Sequence, residues 1–247
     1  MKIKTSIHRN HESEAKSSLL QTIVKPDVIV LSGIQELDSL LGGFKAGELT
    51  YIDGNSSLIA EIPHQLCVNT YRTFNSNTLY IDGGICADPY QIAQYARTMD
   101  VDQDEILDHV HITRAFTVYQ LSTFVENLLE LEIKKLDPRV LIIGKYPALF
   151  LDPDVPIEEA QTILKNTLMK LHDLAARYHL IIILTNLENR LYSSQIRTMI
   201  QSSVHETVRM KDIEPCTYVD LLKQQKSTTI FHINECQLRL EHFGMVT

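Results

Sequence analysis

The chain has 247 residues, 44% of them hydrophobic, which is enough for one sizeable core and favours a single large domain. Its 23 basic and 31 acidic residues give a formal charge of -8, which excludes a general electrostatic attraction to nucleic acid, so any such contact needs a local basic patch. The sequence contains no apolar stretch of about 18 residues, no secretory leader and no CxxC pair, which favours a reduced, cytoplasmic protein without a metal site or membrane span.

The amino-terminal part of the chain differs in composition from the rest. Residues 1–24 are polar, and we expect a flexible segment there, followed by a single core domain over residues 25–247. Within that core, GIQELDSLLGG predicts a short helix that ends at Gly42 and Gly43. GELTYIDG predicts a buried strand, and a helix is expected to follow over about 63–74.

The middle of the chain alternates strand and helix patterns. NTLYIDGG and HVHITRA predict strands, and between them Asp88 and Pro89 are typical of the cap and first residue of a helix. Residues 118–133 keep helical spacing, with an apolar stripe of Val118, Leu121, Val125, Leu128 and Leu129. RVLIIG and LIIILTN predict buried strands on either side of a long amphipathic helix over 157–178, and SQIRTMIQSS predicts a short helix or ordered loop.

The carboxyl-terminal part has strand patterns. HETVRMK, TTIFHI and QLRLEHF alternate apolar and polar residues, and residues 234–236 are expected to join the last two as a hairpin. Strands that are apolar on both faces and alternate with helices predict an α/β fold, in which a mainly parallel sheet is covered by helices on both faces and extended by antiparallel strands. Ligands of such sheets bind outside the carboxyl ends of the strands, which here are near Gly54, Asp82 and Gly144.

Five segments in this order resemble the ATPase core of the RecA/RadA recombinases and their KaiC-like relatives, over residues 31–245. SGIQELDSLLGGFKAGELTYIDG resembles the lead-in to the family's phosphate loop, and HQLCV resembles the helix after that loop. LYIDGG resembles the second strand, and VLIIGKYPALF resembles the Walker B strand. LHDLAARYHLIIILTN resembles the segment before the second DNA-binding loop. The resemblance implies a RecA-like fold with a nucleotide site at the carboxyl edge of the sheet.

The phosphate loop departs from the working pattern G-x-x-x-x-G-K-[ST], in which backbone N–H groups surround the phosphates, the lysine neutralises their charge and the hydroxyl holds Mg²⁺. Gly54 matches the first glycine. The second glycine, the lysine and the hydroxyl residue are missing, and the stretch is one residue short. The residues that make up this degenerate loop are Gly54, Asn55, Ser56, Ser57, Ala60 and Glu61.

Two further catalytic positions have also lost their side chains. The resemblance aligns the Walker B aspartate with Gly144, which Lys145 follows, and it aligns the water-activating glutamate with the pair Gly83 and Gly84. Each loss removes a different part of phosphoryl transfer. We therefore expect a catalytically inactive core that takes no Mg-ATP cofactor. The alternative is an unconventional NTPase in which Lys145 supplies the missing charge and Ser56 and Ser57 act as donors.

The two segments that resemble DNA-binding loops differ in charge. Residues 151–159, LDPDVPIEE, carry four acids and no base, and would repel a phosphate backbone. The second loop offers Arg190, Tyr192 and Arg197, a set that suits at most a weak DNA contact. Basic side chains follow on the VRMK strand, where an exposed strand face is the simpler interpretation.

Recombinase-like cores assemble side by side, because an extended segment before one core adds to the sheet of a neighbour. Residues 19–31 are apolar enough for that role, and equally for the first strand of the domain itself. The resemblance therefore implies a structural or regulatory partner of an active RecA-fold ATPase, as part of a hetero- or homo-oligomer, in DNA recombination or repair. The alternative is a KaiC-like interaction module in signalling or motility.

Overall fold

A computed structural model describes residues 28–187 and 194–232 of the chain. The segment 1–24, for which flexibility is predicted, lies outside the described residues, and so does the hairpin predicted at 234–236.

The described residues form ten strands. They are β1 (Ile29–Val30), β2 (Phe44–Lys45), β3 (Leu49–Gly54), β4 (Thr78–Asp82), β5 (Val110–Arg114), β6 (Val140–Gly144), β7 (Ile181–Leu187), β8 (Glu206–Ile213), β9 (Cys216–Leu221) and β10 (Lys226–Phe231). β1 and β2 form a small antiparallel pair, and the other eight form one sheet in the order β10-β9-β8-β3-β7-β6-β4-β5.

The described helices alternate with the strands. They are α1 (Gln35–Leu41), α2 (Leu58–Phe74), α3 (Pro89–Thr98), α4 (Gln103–Asp108), α5 (Val118–Thr123), a π-helical turn (Phe124–Leu128), α6 (Leu129–Leu136), a 3₁₀ helix (Tyr146–Leu151), α7 (Ile157–Tyr178) and α8 (Ser194–Ser203). α1 ends at Gly42 in the left-handed conformation, and the Asp88 carboxylate accepts N–H bonds at the start of α3, as the sequence predicts.

The predicted fold class is confirmed. β3, β4, β5, β6, β7 and β8 pair in parallel, whereas β9 and β10 extend the sheet as antiparallel strands beside β8. α1, α2, α3 and α4 bury their apolar side chains against one face of the sheet, and α5, α6, α7 and α8 bury theirs against the other. Both faces of the central strands are therefore buried, which explains their continuous apolar sequences.

The helix after the phosphate loop is longer than the sequence indicates. α2 begins at Leu58 and not near Pro63, so the proline lies inside the helix. Proline in a helix removes one backbone hydrogen bond, which is why the sequence favours a later start. Here Ile59 and Ile62 are buried against the sheet, and this packing holds the first turns in helical form.

The helix predicted over residues 118–133 is present but interrupted by the π-helical turn. The N–H of Leu129 donates to the carbonyl of Phe124, five residues earlier. The additional residue in this turn shifts the helical register. The prediction of Leu128 in the buried stripe is therefore wrong, because its side chain is 47% exposed while Leu129 is fully buried.

The antiparallel part of the eight-stranded sheet contains a strand that the sequence analysis missed. β9 follows the turn at Glu214–Pro215 and pairs with both β8 and β10. Its inward side chains are Thr217, Val219 and Leu221, whose alternation is visible in the sequence but is short and flanked by polar residues. Of the apolar segment 19–31, the described residues include Ile29–Val30, which pair with β2 of the same domain.

A helix must be both long and apolar to cross a bilayer. None of the described helices is both long enough and apolar enough to cross a membrane.

The π-helical turn generates a test of the fold. We expect Leu129→Ala to lower the free energy of unfolding by about 2–5 kcal/mol, because it creates a cavity in the core. Leu128→Ala should change it by less than about 0.5 kcal/mol, because that side chain is largely in solvent. Urea unfolding followed by circular dichroism measures both. Equal losses in the two variants would mean that the helix is regular through this segment.

Candidate functional site

The phosphate loop is short, and the N–H groups of Asn55 and of residues 57–60 donate to acceptors of the chain itself. β3 ends at Gly54 and α2 begins at Leu58, so only residues 55–57 separate strand and helix. The N–H groups of Leu58 and Ile59 donate to Ser56, at its Oγ (3.3 Å) and its carbonyl (3.2 Å), and Ala60 N–H donates to the Ser57 carbonyl (3.0 Å). These are the amide groups that a working loop turns towards phosphate.

A carboxylate from β8 lies at the amino terminus of α2. The N–H of Ser57 donates to Asp212 Oδ2 over 3.2 Å, and the hydroxyl of Thr217 donates to Oδ1 over 2.5 Å. Asn55 completes the contact, because its Oδ1 accepts the N–H of Asp212 over 3.1 Å. The amino terminus of a helix favours an anion, and here the anion is part of the protein.

The surroundings of Asp212 stabilise its charged form. Partial burial raises the pKa of this carboxyl, but hydrogen bonds from Ser56, Thr217 and the Ser57 N–H outweigh burial, so that the pKa lies below its ordinary value of 3.8. His232 Nε2 lies 2.8 Å from the Thr217 hydroxyl and extends the chain of hydrogen bonds. Asp212 is therefore a fixed negative charge at neutral pH.

Gly54 has a structural role in this loop. Its φ is 138°, and a Cβ built there would lie 1.8 Å from the carbonyl oxygen of Met210 on β8. That carbonyl accepts the N–H of Asn55 over 3.1 Å. Glycine is required because the backbone of β8 approaches the strand end so closely.

Asp53, the residue before Gly54, is fully buried and paired with arginine. Arg209 on β8 donates to both of its carboxylate oxygens, over 3.1 Å and 2.9 Å, and Gln201 on α8 donates over 3.4 Å. Arg197 Nε lies 3.9 Å from the same carboxylate. The interpretation of Arg209 as part of an exposed strand face is therefore wrong, since a buried carboxylate requires such partners.

The Walker B position has no room for an aspartate. A Cβ on Gly144 would lie 2.4 Å from Cys86 Sγ and 3.0 Å from the Tyr80 hydroxyl. Burial raises the pKa of the Cys86 thiol to about 11, so it stays protonated and supplies no anion for Mg²⁺. Cys86 and Tyr80 therefore occupy the space that the Cβ of a Walker B aspartate would need.

The two glutamate positions differ, because Gly83 is closed by backbone whereas Gly84 faces the flexible side chain of Lys145. A Cβ on Gly83 would lie 2.8 Å from the Gly144 carbonyl oxygen, and one on Gly84 would lie 2.4 Å from the side chain of Lys145. Asp82 holds this segment in place, because its carboxylate accepts the N–H groups of Gly84 (3.1 Å) and Cys86 (2.9 Å). Burial opposes the charge of Asp82, but these hydrogen bonds bring its pKa below the ordinary value.

Lys145 is directed at the backbone. Its Nζ donates to the carbonyl of Gly84 over 3.0 Å, and its own backbone is left-handed. The space between its side chain and α2 is a cavity of about 30 Å³, lined by Ile59, Ala60, Pro63, Tyr80, Cys86, Lys145, Thr185 and Leu187. A cavity of that size holds about one water molecule, far less than a triphosphate needs.

The residues present do not fit Mg-ATP. Most of the loop amides are occupied, the amino terminus of α2 holds a carboxylate, and Cys86 and Tyr80 occupy the space beside Gly144. The described residues also contain no group of three or more His, Cys, Asp or Glu side chains that could hold a metal ion.

The predicted DNA contacts are only partly within the described residues. Arg190 and Tyr192 lie outside them. Arg197 lies on α8, and its side chain is 27% exposed beside Asp53. The acidic segment 151–159 begins at the end of the 3₁₀ helix and runs into α7.

Comparison with known protein families supports the fold assignment. The family model described as Rad51 matches residues 25–204, more than half of the 247-residue chain. The chain belongs to the Rad51 family. The resemblance to the RecA/RadA recombinases is therefore confirmed, and this family consists of RecA-like recombinases whose core is an ATPase.

Sequence reasoning missed several residues that determine the site. Asp53 and Asp82 are charges within buried strands, a pattern that by itself signals a need for partners. Cys86 and Tyr80 carry no such signal, because their role depends on where two strand ends meet. Asp212 accepts a hydrogen bond from the Ser57 N–H, although the two residues are 155 positions apart in the sequence. The sequence around Asp212 gives no indication of this contact.

Crowding at Gly144 can be tested by a double-mutant cycle. Gly144→Ala should lower the free energy of unfolding by about 1–3 kcal/mol, because the new methyl group overlaps Cys86 Sγ. In a Cys86→Ala background the same change should cost less, with a coupling energy of about 1 kcal/mol. Urea unfolding of the four proteins measures the cycle. Additive costs would show that Cys86 does not fill this space.

His64 on α2 generates a prediction about pH. Its Nε2 accepts the N–H of Asp88 over 3.1 Å. Burial lowers its pKa from 6.5, although the Cys86 carbonyl and neighbouring carboxylates oppose this. The unfolded chain therefore takes up the proton first, and the stability that neutral His64 contributes above pH 6.5 is lost as the pH falls through the lowered value.

We expect the free energy of unfolding to fall less steeply in His64→Gln than in the wild type between about pH 7 and about pH 5. Glutamine can accept the Asp88 N–H without titrating. Denaturant unfolding at a series of pH values gives the two slopes. Identical slopes would exclude His64 as a source of the pH dependence.

Proposed function

We propose that this member of the Rad51 family is a pseudo-ATPase. It acts in the cytoplasm as a structural or regulatory partner of an active RecA-fold ATPase, in DNA recombination or repair. The observation that carries the proposal is the closed phosphate loop. The N–H groups of Asn55, Ser57, Leu58, Ile59 and Ala60 donate to acceptors of the same chain, in the segment with which an active core binds phosphate. In this proposal the RecA-like fold serves to bind the partner ATPase.

One of the two end strands of the described sheet, β5, supports a role in assembly; β10 is the other. Among the described strands, β5 pairs only with β4 and stands at the end of the sheet. An edge strand offers backbone donors and acceptors to an added strand. The family resemblance implies that an extended segment of one subunit pairs with the sheet of the next. β5 is the edge that this chain offers to such a segment.

An apolar cavity beside β5 supports the same role. It has a volume of about 400 Å³, and its lining includes Ile81, Ala115, Phe116, Tyr119, Phe124 and Leu128. Phe116 is 65% exposed at this cavity, so an apolar surface faces solvent in the single chain. Arg114 lies at the rim, with its Nε 3.3 Å from Asp82. An extended segment with a large apolar side chain and a nearby carboxylate matches this surface.

Contact with DNA is weak or indirect in this proposal. The formal charge of -8 gives no general attraction to a phosphate backbone. Arg197 is directed towards a buried carboxylate, and the segment over residues 151–159 is acidic. A partner with an intact nucleotide site would hold the strand, and this chain would shape or stabilise that assembly.

The proposal is tested by purifying the tagged chain from its native cell with matched surface variants. We expect a RecA-fold ATPase to copurify, and Phe116→Asp to weaken its binding at least about tenfold, because a charge enters an apolar contact. Met169→Asp is the control, since Met169 is 62% exposed on α7, away from the β5 cavity. Calorimetry with the purified partner gives the affinities.

The identity of the partner separates the alternatives. A recombinase supports a role in DNA repair, whereas a signalling or motility protein would favour the KaiC-like interaction module. Equal loss of binding in Phe116→Asp and Met169→Asp would contradict the assignment of the β5 edge as the contact surface.

A further inference from the structure

The disagreement between the site and Mg-ATP has a specific origin in β8. The end of this strand contacts the phosphate loop at three points, which we call the clasp. Asn55 N–H donates to the Met210 carbonyl over 3.1 Å, Asp212 N–H donates to Asn55 Oδ1 over 3.1 Å, and Ser57 N–H donates to Asp212 Oδ2 over 3.2 Å. Strand and loop therefore hold each other through alternating donors and acceptors.

The charged group of the clasp is the Asp212 carboxylate, and it lies at the amino terminus of α2, where a phosphate ligand would place its negative charge. α2 has 17 residues, so its first turn carries the full partial positive charge of a helix terminus. Asp212 Oδ2 accepts an N–H of this terminus and Oδ1 accepts the Thr217 hydroxyl, as phosphate oxygens accept N–H and O–H donors. The carboxylate thus reproduces both the charge and the hydrogen bonding of a bound phosphate.

We propose that Asp212 is an internal phosphate mimic, and that the clasp is an autoinhibitory contact that keeps the former nucleotide site closed to anions. The inference rests on the proposed function and deepens it. Loss of the lysine removes attraction for phosphate, whereas Asp212 adds competition and repulsion. Nucleotide is then excluded for two reasons. Asp212 on β8 competes with phosphate and repels it, and the catalytic side chains are absent.

The inference predicts that removal of one carboxylate opens the loop amides to an external anion. In Asp212→Ala, we expect the Ser57 amide hydrogen to exchange with solvent at least about tenfold faster than in the wild type, because its acceptor is gone. Sodium pyrophosphate, without Mg²⁺, should bind the variant at least about tenfold more tightly than the wild type and slow the exchange again. Calorimetry and hydrogen exchange followed by NMR measure the two effects.

Two further variants make the test decisive. Glu214→Ala removes the same charge from the adjacent turn, where the side chain is exposed, and should leave both the exchange and the pyrophosphate affinity unchanged. Asp212→Asn keeps the shape of the clasp, and we expect a smaller gain in pyrophosphate affinity in the same direction. It serves in place of Asp212→Ala if the latter loses its thermal unfolding transition.

The outcomes separate this inference from the proposed function. Unchanged Ser57 exchange and no pyrophosphate binding in either Asp212 variant would overturn the role of the clasp, while the pseudo-ATPase and its partner would stand. An equal gain in Glu214→Ala would overturn it as well, because general charge would then explain the effect. Failure of the proposed function alone would instead appear as absence of a RecA-fold partner, whereas nucleotide binding by the wild type would overturn both proposals.

Discussion

The pairing of β8 with the end of β3 is the constraint on which the rest of the site depends. β8 runs parallel to β3, with Arg209 opposite Asp53 and Met210 opposite Gly54. This register joins a bidentate arginine to a buried carboxylate, and it puts the Met210 carbonyl so close to Gly54 that only glycine fits. The following residues of β8 then reach the phosphate loop, and its amides find their acceptors within the protein.

The phosphate loop and the Walker B strand are occupied by different means. At the loop, hydrogen bonds replace the ligand, because backbone amides and a helix terminus require acceptors whether or not phosphate is present. At the Walker B strand, packing crowds the position of the aspartate, because Cys86 and Tyr80 occupy the volume beside Gly144. Reversal of one loss would leave the other in place, so a single substitution is not expected to restore phosphoryl transfer.

Local apolar periodicity in the sequence predicted most of the fold. Most of what it missed depends on contacts between residues that are far apart in the sequence. The buried strands and the helix at Ile157–Tyr178 follow from local periodicity. Leu128 was misplaced because a π-helical turn leaves no mark in apolar spacing. The departures from the nucleotide-binding pattern at Gly144 and in the loop can be read from the sequence, whereas the carboxylate that accepts the Ser57 N–H comes from a strand 155 residues further along the chain.

Calorimetric titration of the purified wild-type chain with Mg-ATP tests the central claim most directly. The closed loop and the cavity of about 30 Å³ predict no heat of binding up to millimolar nucleotide. Saturable binding at any nucleotide concentration up to millimolar would contradict the account, since the loop amides would then have to open for phosphate.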